Sequence, residues 1–187
     1  MKKIGILALQ GDFLEHYQIL KKIKNIQPVY VKNITDMADL SGLIIPGGES
    51  TTIGKLLKFS KLDKAIKKSA KNGLGIYGTC AGCVLLASKV DSQYSLKLID
   101  IEVKRNAYGR QLDSFSTNMG LFIRAPKIIK LLSNKAKILK KNKKNIILVQ
   151  QNNILAGTFH PELTKNTKIH EYFIKHCCDK YLPRIIA

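Results

Sequence analysis

The segment Gly78-Thr79-Cys80-Ala81-Gly82 sets a potential nucleophile between two glycines, at the junction of a predicted strand and a predicted helix. A G-x-nucleophile-x-G turn lifts its central side chain onto a sharp elbow above the carboxyl edge of a sheet, and the flanking glycines remove the Cβ atoms that such a turn would crowd. The positive end of the following helix favours a thiolate. Taken alone, the segment reads equally well as a small buried cysteine beside a close helix–strand contact. Cys80 and Cys83 also form a C-x-x-C, but it follows the fourth strand instead of opening a thioredoxin-like unit, so Cys83 reads as a structural thiol. Cys177 and Cys178 are adjacent, which does not suit zinc; they read as core and surface positions of the last helix, and no metal is expected.

A cysteine nucleophile requires a base, and the base requires an orienting group. His160 follows a predicted strand in Phe159-His160-Pro161-Glu162, where Glu162 is placed to accept a hydrogen bond from the imidazole. A lone His-Pro-Glu otherwise reads as a loop with a solvated histidine. His16 lies on the first predicted helix and His170 and His176 on the last, and each reads as a surface residue. The third element is Pro46-Gly47-Gly48-Glu49-Ser50, after one strand and before a helix. Consecutive glycines there expose backbone N–H groups to developing negative charge, and neither phosphate-loop pattern is matched.

The elements that must position these groups alternate between short β-branched runs and helical patterns. That alternation predicts an α/β fold: an open, mostly parallel sheet with helices on both faces. Strands are expected at 3–9, 28–31, 42–46 and 74–77, and helices at 12–24, from about 53, at 62–71, from the elbow through about 88, and at 168–178. Asp12 with Glu15 three residues on resembles a capping box. The second half turns antiparallel, with strands at 98–103, 146–150 and 154–158 and a hairpin at 151–153. Groups that follow parallel strands can converge on one crevice outside the carboxyl ends.

The chain has 187 residues, with 32 Lys+Arg against 13 Asp+Glu and a net charge of +19. One domain, 1–187, is expected, since no linker or repeat interrupts it. The lysines are scattered, without a basic stripe interleaved with aromatics, so charge alone does not indicate a nucleic-acid partner. No apolar run approaches the roughly 18–20 residues of a membrane span. The short apolar start reads as a strand and not a signal peptide, and the cysteine usage fits a cytoplasmic protein.

Together these residues resemble the class I (triad) glutamine amidotransferases, whose fold is flavodoxin-like. More narrowly the chain is similar to the PdxT family, the glutaminase subunits of two-protein pyridoxal 5′-phosphate synthases. The resemblance runs through Ile6–Gly11, Leu43–Thr52, Gly78–Gly82, Arg105–Phe115, Phe122–Pro126 and Phe159–Thr164. It implies that Cys80 attacks the side-chain amide of L-glutamine, that His160 relays protons and that Glu162 holds its tautomer. Gly48, Glu49, Ser50, Arg105, Ile123 and Arg124 would contact glutamine, and Gly47, Gly48 and Ala81 would supply oxyanion N–H groups. Gln10 would sit near both the crevice and the docking face.

The implied partner is a PdxS-like synthase subunit in a large hetero-oligomer, taking ammonia to build vitamin B6; no cofactor, nucleic acid or membrane is implied. The glutaminase would be poorly active until docked. Between Ser114 and Phe122 the chain is shorter than the family's strand-and-turn, so part of the peripheral sheet is expected to be missing. Competing readings are a glutaminase subunit of another synthase, as in histidine biosynthesis, and a noncatalytic binding module on the same fold.

Overall fold

A computed structural model of the chain describes residues 1–105, 115–117, 120–122 and 125–178. Strands β1 (Lys2–Leu7), β2 (Ile26–Val31), β3 (Gly42–Ile45) and β4 (Gly75–Thr79) pair in parallel, and β12 (Ile154–Gly157) continues the parallel set beside β4. The sheet then turns largely antiparallel through β11 (Asn145–Gln151), β9 (Lys127–Leu131) and β6 (Ile99–Lys104), ending in β5 (Ala87–Val90). β10 (Lys137–Asn142) pairs with β11 off this path. Helices α1 (Phe13–Leu20) and α5 (Lys168–Cys177) cover one face; α2 (Ser50–Phe59), α3 (Leu62–Lys71) and α4 (Ala81–Leu86) cover the other.

Covering both faces explains why the central strands read as continuous apolar runs. Leu43, Ile45 and Ile76 face α2, α3 and α4, whereas the intervening Ile44 and Tyr77 face α1 and α5. Two glycines let α5 settle close to the sheet: a Cβ at Gly75 would lie 2.9 Å from Cys178 Sγ, and one at Gly42 would meet the same sulfur. Both Cys177 and Cys178 are therefore buried, which corrects the expectation of one core and one surface thiol. Burial pushes both thiols well above the usual range, as it does Cys83.

The helix after the elbow is shorter than its apolar pattern suggests. Leu96 and Leu98 donate backbone N–H groups to the carbonyls of Leu85 and Leu86, so α4 stops at Leu86 and Ala87 starts β5. Outside the main sheet lies a small antiparallel hairpin, β7 (Phe115–Thr117) with β8 (Gly120–Phe122). Leu121 exchanges both backbone hydrogen bonds with His160, so this hairpin fixes the backbone of the candidate base. Among the described residues, no helix is long and apolar enough to cross a membrane.

Candidate active site

Strands β1, β3, β4 and β12 lie near one another in the parallel half of the sheet, and each runs toward a segment singled out in the sequence. β1 leads to Gln10, Gly11 and Asp12; β3 to Gly47 and Gly48; β4 to Cys80; and β12 to His160. Parallel pairing puts these carboxyl ends at one edge, so residues up to about 150 positions apart meet. Cys80 donates its backbone N–H to Gly157 O at 2.9 Å, tying the candidate nucleophile's strand to the strand that delivers the candidate base.

Cys80 has φ 45° and ψ −101°, a conformation that costs energy in a residue with a Cβ and that the surroundings must hold in place. The glycines make that possible. A Cβ at Gly82 would collide with the carbonyl oxygen of Ile45, and one at Gly78 would press on the Gly82 backbone. Ala81 follows as the first residue of α4, a helix start whose N–H groups have no partner within the helix.

His160 is buried, and its Nδ1 lies 2.8 Å from Glu162 Oε1. Pro161 begins a single helical turn, Pro161–Leu163, that folds Glu162 back beneath the ring. Asp12 Oδ2 lies 3.1 Å from the same nitrogen. Burial alone disfavours the charged ring, but hydrogen bonding with Asp12, Cys80 and Glu162 outweighs it, and the His160 pKa is pushed up to about 12. With Nδ1 engaged by carboxylates, Nε2 is left for the thiol. Burial pushes Glu162 above the usual carboxylate range, and its hydrogen bond with His160 only partly offsets this. Asp12, His160 and Glu162 offer three donor atoms within 4.8 Å of one another. Both carboxylates point at one imidazole nitrogen, an arrangement that serves a shared proton.

Asp12 makes no side-chain cap for α1, contrary to its sequence signature, because its carboxylate is turned to His160. The glycine loop packs tightly around it. Asp12 donates its backbone N–H to Gly47 O, and a Cβ at Gly47 would strike the His160 ring. Gly48 has φ +141°, and a Cβ there would lie 2.8 Å from Gln10 Oε1. That oxygen accepts the Glu49 backbone N–H at 2.9 Å, so Gln10 braces the loop on which oxyanion donors were expected. Glu49 Oε1 takes Arg105 Nη2 at 3.3 Å and the Thr51 hydroxyl at 3.2 Å, while Ser50 donates to Gln93 Oε1 at 3.0 Å. Ile123 and Arg124 lie outside the described residues, as does the run from Asn106 to Ser114.

Two residues behind His160 and Glu162 were not legible in the sequence. His16 and His170 are fully buried, not surface residues, and His16 Nδ1 lies 3.0 Å from His170 Nε2. On a short amphipathic helix a histidine is equally acceptable on either face, and only docking of α1 and α5 on the same side of the sheet brings these two together. His176 is exposed, as expected.

The model of the SNO glutamine amidotransferase family matches residues 6–179. A pyridoxal 5′-phosphate synthase subunit PdxT of Clostridium botulinum (strain Loch Maree / Type A3) is 47% identical, covering 97% of this chain and 98% of the relative. A second subunit of that name, from Haemophilus influenzae (strain PittGG), is 46% identical over 94% of this chain and 98% of its own length. A crystal structure described as that of a glutamine amidotransferase superposes with TM-score 0.87 at 38% identity, over 93% of this chain and 98% of the other.

Proposed function

This chain belongs to the SNO glutamine amidotransferase family, and from that premise we propose that it hydrolyses L-glutamine at Cys80 and supplies the ammonia to a synthase subunit that makes pyridoxal 5′-phosphate. The observation that carries the residue assignment is the 2.8 Å contact of His160 Nδ1 with Glu162, beside a cysteine held at φ 45°.

Cys80 Sγ attacks the side-chain amide carbon of glutamine. The carbonyl oxygen becomes an oxyanion, which the Ala81 N–H and the N–H groups of the Gly47–Gly48 loop stabilise. His160, charged in the resting site, gives a proton to the departing amide nitrogen, and ammonia leaves behind a γ-glutamyl thioester. Water then attacks the thioester carbon while His160 takes its proton, the carbon–sulfur bond breaks, and glutamate departs. Glutamine and one water thus become glutamate and ammonia. Glu162 keeps Nδ1 protonated and so keeps Nε2 directed at sulfur and substrate.

A free amino acid also carries an ammonium and a carboxylate. The Glu49–Arg105 pair offers one charge to each, and a guanidinium suits a carboxylate in particular. Gly48 and Ser50 line the same loop, and Ile123 and Arg124 complete the glutamine contacts that the family resemblance implies. The synthase partner is a PdxS-like subunit within a hetero-oligomer, and the complex is cytoplasmic.

The test is glutamate release from glutamine by the purified chain, alone and with its synthase subunit, with Cys80→Ala as control. Partner-stimulated release that disappears in the variant supports the reading. Equal release by Cys80→Ala removes Cys80 as nucleophile, and no release in any condition returns the chain to a noncatalytic role.

A further inference from the structure

Glu162 is a buried carboxylate with two oxygens, and the proposed triad uses only Oε1. Among the described residues Oε2 has no hydrogen-bond partner, yet His16 Nε2 faces it at 3.5 Å. The same nitrogen lies 3.1 Å from Thr79 Oγ1, on the residue immediately before the nucleophile. On its other side His16 Nδ1 meets His170 Nε2 at 3.0 Å. One ring on α1 therefore touches the strand that carries Cys80, the carboxylate that orients His160, and a second buried ring on α5.

Burial keeps both inner histidines neutral: His16 is pushed well below its ordinary range, with the nearby rings of His170 and His160 adding to the effect, and His170 falls to about 3. Two neutral rings meeting nitrogen to nitrogen share a single proton, so the pair has two possible polarities. In one, His170 Nε2–H donates to His16 Nδ1, and His16 Nε2–H points at Thr79 Oγ1 and Glu162 Oε2. In the other, His16 Nδ1–H donates to His170 and the lone pair of His16 Nε2 faces the carboxylate. An ionised Glu162 selects the first, because it attracts an N–H and repels a lone pair. The remaining His170 Nδ1 then carries no proton, so its lack of a hydrogen-bond partner among the described residues leaves only an unmet acceptor. Among the described residues this pocket is also faced by the Tyr77 ring, 6.1 Å from His170, by charged His160 beyond Glu162, and by Asp12, whose charge acts on Glu162 as well.

We infer that His16 is a positioning residue for the glutaminase reaction: with its Nδ1 engaged by His170 and its Nε2–H turned to the carboxylate, it holds Glu162 Oε2 and the Thr79 hydroxyl, so that the carboxylate orienting His160 is gripped at both oxygens. This rests on Glu162 being the group that orients His160. A one-sided Glu162 is free to rotate about its terminal bond, and His160 swings with it; the His16 contact opposes that rotation from α1. The outer hydrogen-bond partners that orient metal-ligating histidines act in the same way, and losing one typically costs about 10–100-fold in activity.

The first test uses the unmodified full chain. It has four histidines, so labelling with 15N-histidine and long-range proton–nitrogen correlation resolves each ring, with His176→Gln, His170→Gln and His16→Gln for assignment. His16 and His170 are expected as neutral Nε2–H tautomers from about pH 6 to 8. An Nδ1–H tautomer on His16, or protonation of it in that range, overturns the inference.

The second test is kinetic, with the synthase subunit present. His16→Phe is expected to lower kcat roughly 10–100-fold with little change in KM, and His16→Gln, which keeps a donor, to recover most of that loss. A folded His16→Phe with unchanged kcat overturns the inference, as does a loss of equal size in His16→Gln. Glu162→Gln separates the two layers: if it is fully active the triad assignment fails, whereas if it is inactive and His16→Phe is not, only the role of His16 fails.

Discussion

Asp12 and Glu162 engage the same nitrogen of His160, at 3.1 Å and 2.8 Å, from opposite ends of the sequence. One N–H is shared between two carboxylates, which raises the ring's affinity for a proton beyond what a single orienting acid provides.

Asp12→Asn is therefore expected to lower the His160 pKa while leaving the Glu162 contact in place. The sign follows from linkage. A folded-state value raised from 6.5 to about 12 contributes stability that is fully present below 6.5 and is lost as pH rises toward 12. In Asp12→Asn the contribution is smaller and is exhausted at a lower pH, so the variant is less stable than the wild type at about pH 7 and the gap narrows towards pH 10 and beyond. Following the His160 ring by NMR titration, alongside urea denaturation at both ends of this interval, checks it; superimposable titrations in the two proteins count against the shared proton.

Gly47→Ala tests how closely the loop packs on the base. The added Cβ meets the His160 ring and lies 2.8 Å from Asp12 Oδ2, so the imidazole must shift. A displacement of about 1 Å at a catalytic group costs on the order of a hundredfold in rate. Glutamate release should fall by about that factor while the thermal midpoint stays within a few degrees; wild-type turnover would mean that the ring has room.

Gln10→Ala removes the acceptor that holds the Glu49 N–H. The loop then loses its brace, and stimulation by the synthase subunit should disappear while Cys80 keeps its rate of alkylation by iodoacetamide. Unchanged stimulation would detach Gln10 from the loop's function.

Arg105→Ala leaves Glu49 without its cation. A guanidinium that grips the substrate in both ground and transition states affects KM and not kcat, so KM for glutamine should rise roughly tenfold or more at nearly constant kcat. A change confined to kcat would place Arg105 elsewhere in the reaction.

Much of the site was legible because its parts are local. The spacing of Gly78, Cys80 and Gly82 encodes a tight elbow, and the two-residue step from His160 to Glu162 across Pro161 encodes their contact, since one helical turn brings the carboxylate under the ring. The lysine-rich β10 and the extended stretch at β5 were not legible. Half of an exposed edge strand carries no apolar alternation, and β5 exists because the 96–98 segment takes the last carbonyls of α4.

The sequence by itself determined which strands are buried on both faces, which turns carry the candidate nucleophile and base, and the order in which they reach a common edge. Tertiary structure alone decided what stands behind them. His16 and His170 look like surface residues because a polar side chain on a short helix carries no information about which face will dock. Asp12 looks like a helix cap because its nearest backbone donors are local, yet its carboxylate is drawn to a charged imidazole 148 positions later in the chain. Such pairings depend on the angle at which α1 and α5 settle on the sheet, a quantity set by packing across the whole core and written at no single position.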